Sequence, residues 1–124
     1  MNQKVTMIIR IVFGLFCIFF GLNKFIGFMS FPPIPGDGQT LMNIYFSSGF
    51  LKLIGALEVV FGAGMVIGKY VPLSLTILIA IMFNAVVFHA LHDTATIGGA
   101  ILGLVLGIVL VYGYKDRFSS LLSA

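Results

Sequence analysis

The sequence predicts an all-α integral membrane protein, a four-transmembrane-helix bundle. Of its 124 residues, 60% are hydrophobic and only 9% charged, against about half and about a quarter in soluble domains. Four apolar stretches are each near the ~20 residues that cross a hydrocarbon core about 30 Å thick. One long connection, rich in proline and glycine, separates the first stretch from the rest. A soluble chain this short could not bury so much apolar surface, whereas lipid accepts it. One domain over residues 1–124 is expected, in contact with the lipid bilayer. The net charge of +3 is small and scattered, which argues against nucleic acid as a partner.

Segment one is expected over residues 5–28. Lys4 and Arg10 precede an uncharged run that ends at Asn23 and Lys24. No small-residue cleavage pattern follows that run, so an uncleaved first helix is expected rather than a signal peptide. Arg10 and Lys24 are about 21 Å apart along a helix axis, so they reach toward opposite interfaces. The connection, residues 30–49, holds Pro32, Pro33, Pro35 and the turn signal Gly36-Asp37-Gly38. Its second half, residues 40–48, is partly apolar and reads equally as a surface helix or a plain loop.

Segment two is expected over residues 50–68, segment three over 71–91 and segment four over 95–114. Pro72 suits a first helical turn. Four spans put both termini on one side. That side then holds Lys4, Arg10, Lys69, Lys115 and Arg117, while the other holds Lys24 and Lys52. The positive-inside rule places both termini in the cytoplasm and the proline-rich connection outside.

Small residues mark helix contacts. Segment four carries Gly99, Gly103 and Gly107 at a spacing of four, following Ala95. Gly14 and Gly21, and Gly55 and Gly62, repeat at seven. Such stripes serve either a dimerisation surface or packing within one bundle, and packing is the commoner use.

One residue stands out chemically. Glu58 lies within an apolar run, and a carboxylate at that depth requires a partner or a proton. Arg10 and Lys24 share a face of segment one and are its candidate partners. Arg10 is the better buried partner by its fork geometry and weaker hydration. Asn84, eight residues from His92, lies at the level of Glu58, about 12 Å below the outer boundary. A layer of Glu58, Asn84 and Cys17 follows. The two readings are a proton-handling or ligand-binding site and an Arg10–Glu58 clamp that fixes helix register.

His89 and His92, with Asp93, form a polar corner at the end of segment three. Two histidines alone do not make a metal site, and no metal is assigned. Asp93 also suits a cap on segment four. Cys17 is the lone cysteine, which excludes an intrachain disulfide, and it reads as a small apolar residue. The phenylalanines of segment one suit lipid contact, packing, or a pocket for an isoprenoid tail. Phosphate loops, nucleophile elbows and dinucleotide fingerprints are missing from the sequence.

The run from Arg10 to Phe16, then Gly21-Leu-Asn-Lys24-Phe25, resembles the opening helix of the DoxX-like family. Leu53-Ile-Gly-Ala-Leu-Glu58-Val-Val-Phe-Gly62-Ala-Gly64 resembles that family's second helix. His89 and the Phe-Pro-Pro-Ile-Pro connection also fit. The resemblance implies a multi-pass bacterial inner-membrane protein, with Arg10, Lys24, Glu58 and His89 as its polar positions. Some relatives are linked to thiosulfate:quinone oxidoreductase or to membrane oxidoreductase complexes. A single cysteine and no redox-cofactor motif do not fit sulfur oxidation by this chain alone.

Three functions follow as expectations. The first is a subunit that binds a quinone or another lipophilic ligand through Glu58, Lys24, Asn84, His89 and His92, with Arg10 setting the charge state of Glu58 and a partner protein supplying any electron transfer. The second is an accessory subunit that holds larger membrane partners through the glycine stripe and the outer loop. The third is a small solute or proton pathway in a homo-oligomer.

Overall fold

The apolar runs become four helices long and apolar enough to cross a membrane. A computed structural model describes residues 1–27 and 32–124. Phe28 at the expected end of segment one, and Ser30 and Phe31 of the connection, lie outside the described residues. The described helices are α1 (Gln3–Ile26), α2 (Asp37–Ser48), α3 (Phe50–Ile67), α4 (Val71–His92), α5 (Ile97–Gly113) and α6 (Lys115–Leu122). A single 3-10 turn, Thr94–Thr96, precedes α5.

Local chemistry sets the ends. Asn2 caps α1, its Oδ1 accepting from the Lys4 and Val5 amides at 2.8 and 3.3 Å. Gly49 ends α2 at φ 80° and lets the chain turn directly into α3, a conformation that glycine adopts without steric cost. Pro72 stands in the first turn of α4. The second half of the connection, open between loop and helix from sequence, is a helix. Gln39 steadies it, accepting from the Ile34 amide at 3.0 Å and donating to Asn43 at 2.9 Å.

The bundle closes in the order α1, α3, α4, α5, with α5 returning to α1. α1 and α3 are antiparallel and meet through their glycines. A Cβ placed on Gly21 would lie 2.7 Å from the Gly55 carbonyl oxygen, and one on Gly55 the same distance from the Gly21 oxygen. Gly14 and Gly62 face each other likewise, at 2.7 and 2.9 Å. The two seven-residue repeats therefore interlock within one chain. Lipid supplies no hydrophobic drive for helix association, so close backbone approach, dispersion and weak Cα–H···O contacts take its place.

In α5 the contact face is Ala100, Gly103, Gly107 and Leu110. Gly103 packs on Met82 and Phe16, and Gly107 on Ile79. Gly99, expected in the stripe, instead faces open space. A strict spacing of four drifts about 40° per step. Spacings of three and four alternating hold one face, and the contact follows them.

Phe13, Cys17, Met65, Leu75, Leu78 and Leu110 form the centre of the core, each fully buried. The outward faces of α1 and α5 are apolar, with Val12, Leu15, Ile101 and Val105 exposed. This surface suits hydrocarbon, and the chain is a membrane protein. The turn between α3 and α4 lies at the same end as the two termini, here the terminal end. α2 and the turn between α4 and α5 lie at the other, the loop end.

Candidate functional site

Glu58 is 1% exposed and shares the buried face of α3 with Gly55, Gly62 and Met65. Its partner is Lys24, whose Nζ lies 2.5 Å from Oε1. Among the described residues no second donor reaches that oxygen. Lys24 keeps 22% of its side chain exposed and also donates to the Phe20 carbonyl at 3.4 Å. The pair thus joins an enclosed carboxylate to a lysine whose side chain is partly exposed.

This corrects the expectation that Arg10 is the buried partner of Glu58. The glycine pairs set the register: Gly21 is level with Gly55, and Gly14 with Gly62. Glu58 is then level with residue 18, roughly 12 Å above Arg10 and roughly 9 Å below Lys24. Helical side chains tilt toward their own N-terminus. In α3 that tilt carries Glu58 toward the loop end, and in α1 it carries Lys24 down to meet it. Arg10 tilts the same way as Lys24, toward the terminal end and so away from Glu58.

Arg10 instead ties three helices together. Its Nε donates to the Met65 carbonyl at 2.8 Å and its Nη1 to the Tyr114 hydroxyl at 3.1 Å. Met65 belongs to the last turn of α3, where carbonyls lack intrahelical partners and a cation is favoured. Its guanidinium lies over Gly68, where a Cβ would come within 3.1 Å of it. Arg10 does not set the charge state of Glu58 by contact.

Asn84 is also corrected. The buried face of α4 is Val71, Ser74, Leu75, Leu78 and Met82. Asn84 lies roughly 140° around the helix from its centre, and it is exposed. It does not join the Glu58 layer. Cys17 does lie at that level by register, one residue from position 18, and is fully buried.

The same count turns His89 onto the buried face. There it meets Asp93 and Thr96 across the turn into α5. The Thr96 hydroxyl donates to Asp93 Oδ2, which leaves its oxygen free to accept. His89 Nδ1 lies 3.3 Å from the Asp93 carbonyl and 3.2 Å from Thr96 Oγ1. Both neighbours act as acceptors, so a neutral His89 carries its proton on Nδ1 and presents Nε2 as a lone pair. Asp93 was expected to cap segment four; its side chain takes a hydroxyl and makes no backbone capping bond.

His92 packs tilted against Phe88, ring centres 5.3 Å apart. α2 rests on it: a Cβ on Gly38 would come within 2.8 Å of the His92 Cβ. A cleft of about 260 Å³ lies beside it, lined by Pro35, Leu91, His92, Asp93, Thr94 and Ala95. Among the described residues, no three His, Cys, Asp or Glu side chains cluster as a metal would need. Lys24 and His89 both stand at the loop end. Sequence reasoning missed Thr96; its signal was a hydroxyl seven residues after His89 and three after Asp93.

Among known proteins, no curated protein and no solved structure matches this chain. A family model described as DoxX matches residues 5–91. The matched stretch carries Arg10, Lys24, Glu58 and His89 and leaves α5 and α6 outside. The protein belongs to the DoxX family.

Proposed function

We propose that this DoxX-family protein binds a lipophilic ligand that exchanges protons, a quinone being the candidate, in the loop-end half of its bundle. The observation that carries this reading is the Lys24–Glu58 pair. A carboxylate enclosed to 1% exposure has one charged partner among the described residues, and that lysine side chain is partly exposed. Burying such a pair is no gain in stability over well-packed apolar side chains. Ionisable groups within membrane spans are by default functional. His89, with its tautomer set by Asp93 and Thr96, supplies an acceptor at the same end, and His92 borders a cleft there.

On this reading Glu58 holds or releases a proton and Lys24 balances its charge. His89 Nε2 accepts a hydrogen bond from the reduced head group. The phenylalanines Phe16 and Phe20, tilted against each other with ring centres 4.8 Å apart, suit an isoprenoid tail. Electrons come from a membrane oxidoreductase partner, since no redox motif is present in the sequence. The chain lies in a bacterial inner membrane with both termini cytoplasmic, as its cation distribution favours.

The test is titration of detergent-solubilised protein with a short-chain quinone. Wild type is expected to bind, and Glu58→Gln to weaken binding at least tenfold while retaining the fold. Equal affinity in the two proteins overturns the reading.

A further inference from the structure

α4 carries a second, separate feature on its outward face. Leu73, Ile77, Ala80, Asn84, Val87 and Leu91 alternate at spacings of four and three, an a/d heptad seam with Asn84 at an a position. Leu73, Ala80, Asn84, Val87 and Leu91 are exposed and Ile77 is half-buried. Asn84 lies about 12 Å below the loop end of α4. Its side chain is too short to reach the interface, and it has no hydrogen-bond partner among the described residues. An amide facing hydrocarbon is costly unless another group meets it.

We propose that α4 is the interface of a parallel homodimer in which the two Asn84 amides hydrogen-bond to each other within the bilayer. The bilayer favours a second copy as occupant. Copies insert with one orientation, so a two-fold axis along the membrane normal sets each α4 residue opposite itself at equal depth. An amide both donates and accepts and therefore complements its own copy, which a charged side chain would not. A single asparagine at an a position is the device by which parallel helix pairs fix register and copy number. The outward faces of α1 and α5 offer apolar side chains instead.

Disulfide cross-linking in native membranes tests this. In a Cys17→Ala background, Ala80→Cys and Val87→Cys are each oxidised with copper phenanthroline, with Leu102→Cys on the outward face of α5 as control. Both α4 thiols are expected to give a dimer of this chain, and the α5 thiol none. Adding Asn84→Leu is expected to lower the cross-linked fraction roughly tenfold at low expression, the scale of an interhelical amide contact in lipid. Adding Asn84→Gln should retain most of it. Asn84 makes no hydrogen bond among the described residues, so helicity by circular dichroism should stay unchanged, which distinguishes unfolding from loss of the dimer. A dimer indifferent to Asn84→Leu, equal cross-linking from α5, absence of any cross-link, or capture of a different protein overturns the proposal.

Discussion

Removing Lys24 should cost more than removing the charge of Glu58. In Lys24→Met the carboxylate stays 1% exposed and loses the one group that reaches Oε1 among the described residues. Breaking a buried pair from one side costs about 3–5 kcal/mol. In Glu58→Gln the stranded group is Lys24, already 22% exposed. It can swing its ammonium to the interface, as lysines near helix ends do, so the expected cost is about 1–2 kcal/mol, near that of an imperfect hydrogen bond. Lys24→Met with Glu58→Gln removes both charges, and its cost should fall below that of Lys24→Met alone. The residues touch, so the cycle should give a coupling of about 1–3 kcal/mol. The assay is reversible unfolding in dodecyl maltoside micelles with rising dodecyl sulfate, followed by circular dichroism. Equal penalties for the two single variants, or a double variant that costs their sum, would refute the reasoning.

Other residues give independent checks. Gly21→Ala forces a methyl to within 2.7 Å of a backbone oxygen; the expected loss is about 1–3 kcal/mol in the same unfolding assay. Gly99→Ala meets open space and should stabilise α5 by about 0.5–1 kcal/mol. Arg10→Met leaves the Met65 carbonyl unpaired and should cost about 1–3 kcal/mol, whereas Tyr114→Phe removes one hydrogen bond worth about 1 kcal/mol. Nitrogen NMR of labelled protein should find neutral His89 protonated on Nδ1 in the wild type. Thr96→Val, which removes one of the two acceptors, should shift that population toward the Nε2 tautomer.

Much of the fold was legible because hydrocarbon imposes a length and an apolar composition that no short soluble chain needs. The glycine repeats at seven in segments one and two marked close-packing faces without naming their partners; the structure pairs them with each other, since only residues without a Cβ allow the backbones so close. Two errors arose from choosing helix faces by their polar residues. Asn84 was read as inward because it is polar, yet the face of α4 that packs is marked by Val71, Ser74, Leu75 and Leu78. Arg10 was preferred to Lys24 by side-chain chemistry, while the tilt of side chains toward helix N-termini, present in any sequence, selects Lys24. The His89–Asp93–Thr96 cluster was only half visible, because the 3-10 turn that brings Thr96 back over α4 has no strong local signature.

The ligand site proposed at the loop end is tested most directly by photolabelling with an azido-quinone in native membranes, with the modified peptides mapped by mass spectrometry. Label is expected on the α1 peptide around Phe20–Lys24 and the α4 peptide around His89–His92, reduced by unlabelled quinone and lost in Glu58→Gln. Label spread evenly over the lipid-facing surfaces of α1 and α5, unaffected by competitor or by Glu58→Gln, would contradict a site built on the Lys24–Glu58 pair.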